Sequence, residues 1–242
     1  MPPPSATPIQ TSKLFWVSTL EARPINPRRV IVGALASVLA ELPTLGKALL
    51  GPGIIYLALH FLPTDEITFG IAILLAVSSL VLHTVFAITT HRIVMLGPDS
   101  VPQWGLRSWS RRETRFAGYV LALVMLLAVL IAIAMGTQPV GPIIVMVVAI
   151  VGGCSLSLIF PAIALGEAFT LGDAWRMAQG HISSLILCIW LFPFLLAILT
   201  VLVAQIPYAR PLAALMELVT TILTIATLSV AFSEIRRQQS EA

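Results

Sequence analysis

Six runs of apolar residues, each long enough to cross a lipid bilayer as a helix, constrain this chain more than any other feature. A helix rises 1.5 Å per residue, so about 20 residues span a hydrocarbon layer about 30 Å thick. The runs cover about 45–62, 67–90, 114–135, 140–165, 183–206 and 211–234. In a water-soluble domain about a quarter of the residues are charged, whereas here 10% are, and 58% of the 242 residues are apolar. A chain so poor in charge has too little polar surface to face water on all sides, and lipid removes that requirement. The predicted fold class is all-α: a polytopic membrane helix bundle with six spanning helices plus short interfacial amphipathic helices. Residues 27–235 form a single membrane domain, preceded by a disordered or weakly amphipathic segment at 1–26 and followed by a short tail at 236–242. Residues 1–10 lack the charged and apolar regions of a cleavable signal, so targeting is expected to rest on the first span.

The first span is the least regular, because Gly51-Pro52-Gly53 interrupts it and Lys47 lies near its start. Ahead of it, Asn26-Pro27 is a helix-opening pair, and Leu35, Val38, Leu39 and Leu42 recur at helical spacing up to Pro43. Two readings follow: a helix over 27–42 lying in the membrane interface, or one long bent helix from 27 to 62. Capping boxes at Ser110–Glu113 and Thr170–Asp173 open two further helices. The second of these is short, ends at Gly180, and is expected to lie on the membrane through Leu171, Ala174, Trp175 and Ala178.

Charge sets the expected orientation. Of 14 basic residues, all but Arg210 fall on one side: before or at the start of the first span, between spans two and three or at the start of span three, between spans four and five, or after span six. Positive residues concentrate in cytoplasmic loops, which predicts an inner-membrane protein with both termini cytoplasmic. Arg92, Arg107, Arg111, Arg112 and Arg115, with His91 beside them, form a basic collar suited to anionic lipid headgroups.

Ionisable residues inside a span are functional candidates by default. Glu217 shares a helical stripe with Thr220, Thr224, Thr227 and Ala231, and Thr221 lies beside it. Such a stripe either lines a solute path or forms a seam where small residues let helices approach. Arg210, Tyr56 and Thr200 lie where they could satisfy the Glu217 carboxyl. His83 lies in span two, roughly 14 Å from Glu217 in depth at 1.5 Å per residue, too far for a direct pair. Ala149, Gly153 and Ser157 give span four a close-contact face, and Pro161 is expected to bend its end. Cys154 and Cys188 read as small buried hydrophobes.

The blocks His91-Arg92-Ile93-Val94-Met95-Leu96-Gly97, Arg111–Tyr119, Leu158–Ala164 and Ala174-Trp175-Arg176-Met177 resemble a family of bacterial six-span inner-membrane proteins of uncharacterised activity. More distantly, they are similar to the membrane domain that accompanies some glycerophosphodiester phosphodiesterases. The resemblance implies a six-helix membrane fold and carries no hydrolytic activity, because the catalytic domain of those enzymes has no counterpart here.

Metalloprotease, nucleophile-elbow and P-loop signatures are missing from the sequence. The expectation is therefore a protein with no catalytic residues, cofactor, metal or nucleic acid. It would act as an accessory or scaffold through helix packing, membrane lipids, and a protein partner or second copy. The alternative is a small-solute or ion transporter using the stripe on the last span.

Overall fold

The computed structural model describes residues 24–62, 68–102, 109–137 and 140–241. Arg107 of the collar lies outside the described residues, as does nearly all of the segment predicted ahead of residue 27. Among the described residues the regular structure is all helical: α1 (Pro27–Ala40), α2 (Leu42–His60), α3 (Phe69–Leu96), α4 (Arg111–Gly136), α5 (Gly141–Ser157), α6 (Ile159–Leu165), α7 (Leu171–Ala178), α8 (Ile182–Leu185), α9 (Phe192–Ala204) and α10 (Arg210–Glu241). Pro98–Ser100 forms a 3₁₀ turn, and a π-helical turn at Ile186–Leu191 joins α8 to α9. Taking α5–α6 and α8–α9 as continuous, six helices are long and apolar enough to cross a membrane. The chain is a multi-pass membrane protein.

Prolines punctuate these helices. Proline lacks an N–H and its ring clashes with the carbonyl four residues back. Pro43 separates α1 from α2, which are parted by Glu41 alone. The first span is thus the second half of a bent helical unit, nearer the second reading of 27–62. Pro161 clashes one turn back at Ser157, where α5 gives way to α6 around Leu158. Pro193 acts on the carbonyl of Ile189, inside the π turn that precedes it. Gly97 ends α3 at φ +85° with its N–H on the Ile93 carbonyl, a left-handed conformation open to glycine at little cost.

Several boundaries and faces differ from expectation. α3 runs on to Leu96 and α10 to Glu241, so Arg236 and Arg237 belong to the helix and not to a separate tail. Their side chains explain the continuation: Arg237 pairs with Glu234 at 2.7 Å and Arg236 with Glu167 at 2.6 Å. α1 packs its Val30, Ala34 and Val38 face inward along α10, while Leu35, Leu39 and Leu42 point outward. α7 likewise packs on α5 through Ala174, Met177 and Ala178, leaving Trp175 exposed.

The core is asymmetric. Buried residues from α1, α3, α4, α5, α6, α7, α8 and α10 meet at the arginine-rich end, around Phe86, Leu158, Ile159, Ala162, Phe232 and Ile235. Toward the other end α4 and α9 stand almost bare: α9 buries no residue and α4 only Ala134 beyond its first two turns. α1 crosses α10 antiparallel, with Arg29 3.8 Å from Glu234 and a Cβ on Gly33 only 3.4 Å from Val230.

Candidate functional site

The polar stripe of α10 resolves into two unlike parts. From Thr221 onward its hydroxyls turn back on the helix. Thr221 donates to the Glu217 carbonyl at 2.9 Å, Thr224 to Thr220 at 2.8 Å and Thr227 to Leu223 at 2.7 Å. Ala226, Thr227 and Ala231 are buried in the core. This portion has the construction of a packing seam, in which hydroxyls satisfied within the helix leave a narrow surface for close approach.

Glu217 is different. Tyr56 Oη donates to its Oε1 at 2.8 Å, and His60 Nε2 lies 3.0 Å from its Oε2. Tyr56 and His60 sit one turn apart on the last turns of α2, with their ring centroids 4.6 Å apart and the planes tilted by 47°. His60 Nδ1 faces the Tyr56 carbonyl at 3.2 Å, and a carbonyl only accepts, so that nitrogen carries a proton. Nε2 is then the nitrogen turned toward the carboxyl. The Glu217 side chain is 51% exposed and that of His60 32%, so the pair is accessible from outside the bundle. Thr200 donates instead to the Leu196 carbonyl, and Arg210 makes no ion pair with Glu217.

His83 does not reach Glu217. Its Nδ1 bonds the Ser79 carbonyl at 2.8 Å, and its ring meets the edge of Tyr56 at 5.8 Å. Tyr56 therefore touches both ionisable groups while keeping them apart. His60 is not among the residues expected to meet Glu217, although it lies one turn beyond Tyr56 on the same face of α2.

The collar also divides. His91 leaves it altogether: only 1% exposed, it donates from Nδ1 to Ser229 Oγ at 2.7 Å, while Ser229 donates to Ile225. Its place on the buried stripe with Thr84 and Ala87 was the available signal. Arg92 forks onto the Ser100 carbonyl at 2.9 and 3.1 Å and reaches the Ala164 carbonyl at 3.3 Å, tying the end of α3 to the end of α6. Arg112 pairs with Glu113 at 2.7 Å, and the other Glu113 oxygen takes the Ser110 N–H and hydroxyl in the predicted capping box. Arg111 and Arg115 are exposed and make no ion pair among the described residues. Between α3 and α4 lies an open cleft of about 430 Å³, counting the space open to solvent. Val85, Ile88, Thr89 and Arg92 line it from α3; Trp109, Arg112 and Glu113 line it from the start of α4.

A third cluster was not foreseen. His181, Ser184 and Cys188 occupy one face at spacings of three and four residues, and together they grip the strand-like segment before α1. The Ile25 N–H donates to His181 Nδ1 at 3.3 Å, Ser184 donates to the Ile25 carbonyl at 2.7 Å, and Cys188 Sγ lies 3.8 Å from the Pro27 carbonyl. Burial holds the His181 imidazole below its ordinary value of 6.5. At α7 the Asp173 carboxyl is held low by the Thr170 hydroxyl and N–H and by Arg176. Among the described residues no three histidine, cysteine or acidic side chains gather as metal ligands. Compared with known family models, curated proteins and solved structures, the chain matches none.

Proposed function

We propose that this chain is a bacterial inner-membrane protein, with both termini cytoplasmic, that acts through helix packing, contact with anionic lipids and partner subunits. It catalyses no reaction of its own. The observation that supports this reading most is the fate of the α10 stripe. A solute path needs polar atoms turned toward a lumen, whereas Thr221, Thr224 and Thr227 bond their own backbone and Ala226 and Ala231 are buried in the core. The family resemblance agrees with the membrane fold and adds no activity.

The discriminating experiment is reconstitution of the chain in liposomes, with ion and proton flux followed across the bilayer. Flux at the level of empty vesicles, unchanged by Glu217→Gln, is the expected result. Flux above that level and lost in Glu217→Gln would replace this reading with transport. A specific observation favours that second reading: the His60–Glu217 contact at 3.0 Å, on an accessible face, brings together the two side-chain types that a proton-coupled site uses. Orientation is tested separately by a reporter fused after Ala242, which should be active only inside the cell.

A further inference from the structure

We infer that His60 and Glu217 bind a divalent transition-metal ion of the Zn²⁺ class, which ties the end of α2 to α10 at the end of the bundle opposite the arginine collar. The ion takes His60 Nε2 and Glu217 Oε2 as its protein ligands, and water completes its shell.

Distance is the first support. His60 Nε2 lies 3.0 Å from Glu217 Oε2. Nitrogen and oxygen ligands stand about 2.0–2.2 Å from zinc, so two of them at a tetrahedral angle are about 3.3 Å apart. The pair needs to spread by only a few tenths of an ångström to admit the ion. Both side chains are partly exposed, which leaves room for water at the remaining positions. Among the described residues no third histidine, cysteine or acidic side chain joins them, and no arginine or lysine pairs with Glu217 to compete for its charge.

The bonds behind the two ligands are the second support. A metal-binding histidine donates its other ring N–H to a carbonyl or carboxylate, and a ligating carboxylate is itself hydrogen-bonded. Tyr56 supplies both. Its carbonyl lies 3.2 Å from His60 Nδ1, which turns Nε2 toward Glu217. Its hydroxyl donates to Glu217 Oε1 at 2.8 Å and leaves Oε2 for the ion. His83 gives the contrast: its Nδ1 bonds the Ser79 carbonyl in the same way, yet among the described residues no carboxyl meets its ring.

Donor chemistry selects the ion. Imidazole nitrogen suits zinc, copper and nickel, whereas magnesium and calcium take oxygen ligands. Placement gives the ion a mechanical role. Pro52 lies inside α2 between Gly51 and Gly53, and its missing N–H weakens the helix one turn before Tyr56. A bridge from His60 to Glu217 fixes the part of α2 beyond that weak point against α10. The nearest apolar contact there is modest, with a Cβ on Gly53 3.6 Å from Leu218.

The test uses the untagged full chain in detergent, stripped of metal with a chelator and titrated calorimetrically with Zn²⁺ or Mg²⁺. The chain should bind one Zn²⁺, and Mg²⁺ at equal concentration should give no binding heat. His60→Gln and Glu217→Gln should each weaken Zn²⁺ by more than about tenfold, and Tyr56→Phe, which keeps the carbonyl and loses the hydroxyl, by about tenfold. His83→Gln should bind as wild type does. A second measurement needs no variant: Zn²⁺ should protect His60 of the wild-type chain from diethyl pyrocarbonate, read by peptide mass spectrometry, and a chelator should restore the reaction. The site is overturned if His60→Gln or Glu217→Gln binds Zn²⁺ like wild type, if His60 stays unprotected, or if Mg²⁺ binds equally. Binding is read in detergent, so the outcome is independent of whether the chain moves ions across a bilayer.

Discussion

The four histidines show how one residue type takes four chemistries from four partners. His60 meets the Glu217 carboxyl, His83 bonds its own turn at Ser79, His91 donates to Ser229, and His181 accepts from the Ile25 N–H. Only the last is an acceptor at a fixed backbone donor, and protonation of Nδ1 would cancel that bond. Its folded-state pKa lies below 6.5, so the unfolded chain binds the proton first on acidification. The stabilisation from this anchor is therefore complete above that value and declines as pH falls below it. Between about pH 7.5 and 5.5 the thermal midpoint in detergent should fall, and His181→Gln, whose side-chain carbonyl can still accept, should flatten the slope. Equal slopes in the two proteins would remove the role given to His181. At this scale the sequence was only partly legible. Glu217 stood out because a carboxyl in an apolar run is costly, and Tyr56 followed from depth. His60 and His91 were lost because depth was counted along each helix without the face each ring would take.

Among the elements, boundaries set by local chemistry were the readable ones. Both capping boxes form as expected, and Pro43 and Pro161 break helices where their missing N–H and ring bulk require it. The π turn before Pro193 has the same cause but is a choice among several local remedies, so sequence alone does not select it. Contact between elements was legible where a small residue marked it. A Cβ on Gly153 would sit 3.4 Å from the Trp190 indole, whereas one on Gly152 meets nothing within 4 Å. Gly153→Leu should therefore destabilise the chain by about 1–3 kcal/mol through overpacking against the π turn. Gly152→Leu should leave the melting midpoint nearly unchanged. Thermal denaturation of the two purified variants decides the matter, and a similar loss in both would show that helix propensity or membrane insertion, not the Trp190 contact, governs the position. Which face of α1 turns inward was not readable, because Val30, Ala34 and Val38 compete with the equally apolar Leu35 and Leu39, and only the narrow surface of α10 favours the smaller set.

For the whole molecule, the count and placement of spans came from hydrophobic run length, and the asymmetry of the core did not. Close packing is concentrated at the arginine-rich end, while Val124, Val129, Ile143, Leu195 and Val201 are all more than half exposed. If lipid covers that surface, a single cysteine at Val129 should react with a lipid-soluble maleimide and resist a water-soluble one. Protection from both reagents in membranes would instead reveal a protein partner over α4. The pairing of α1 with α10 has a further consequence during biosynthesis. The ribosome delivers α1 long before the helix that seats it, since Arg29 waits for Glu234 and Gly33 for Val230. Until then α1 must be sheltered by an insertase, a chaperone or the bilayer surface. Chains stopped before α10 would present its unfilled face to quality-control proteases, so nonsense mutations far downstream should shorten the lifetime of the earliest helices.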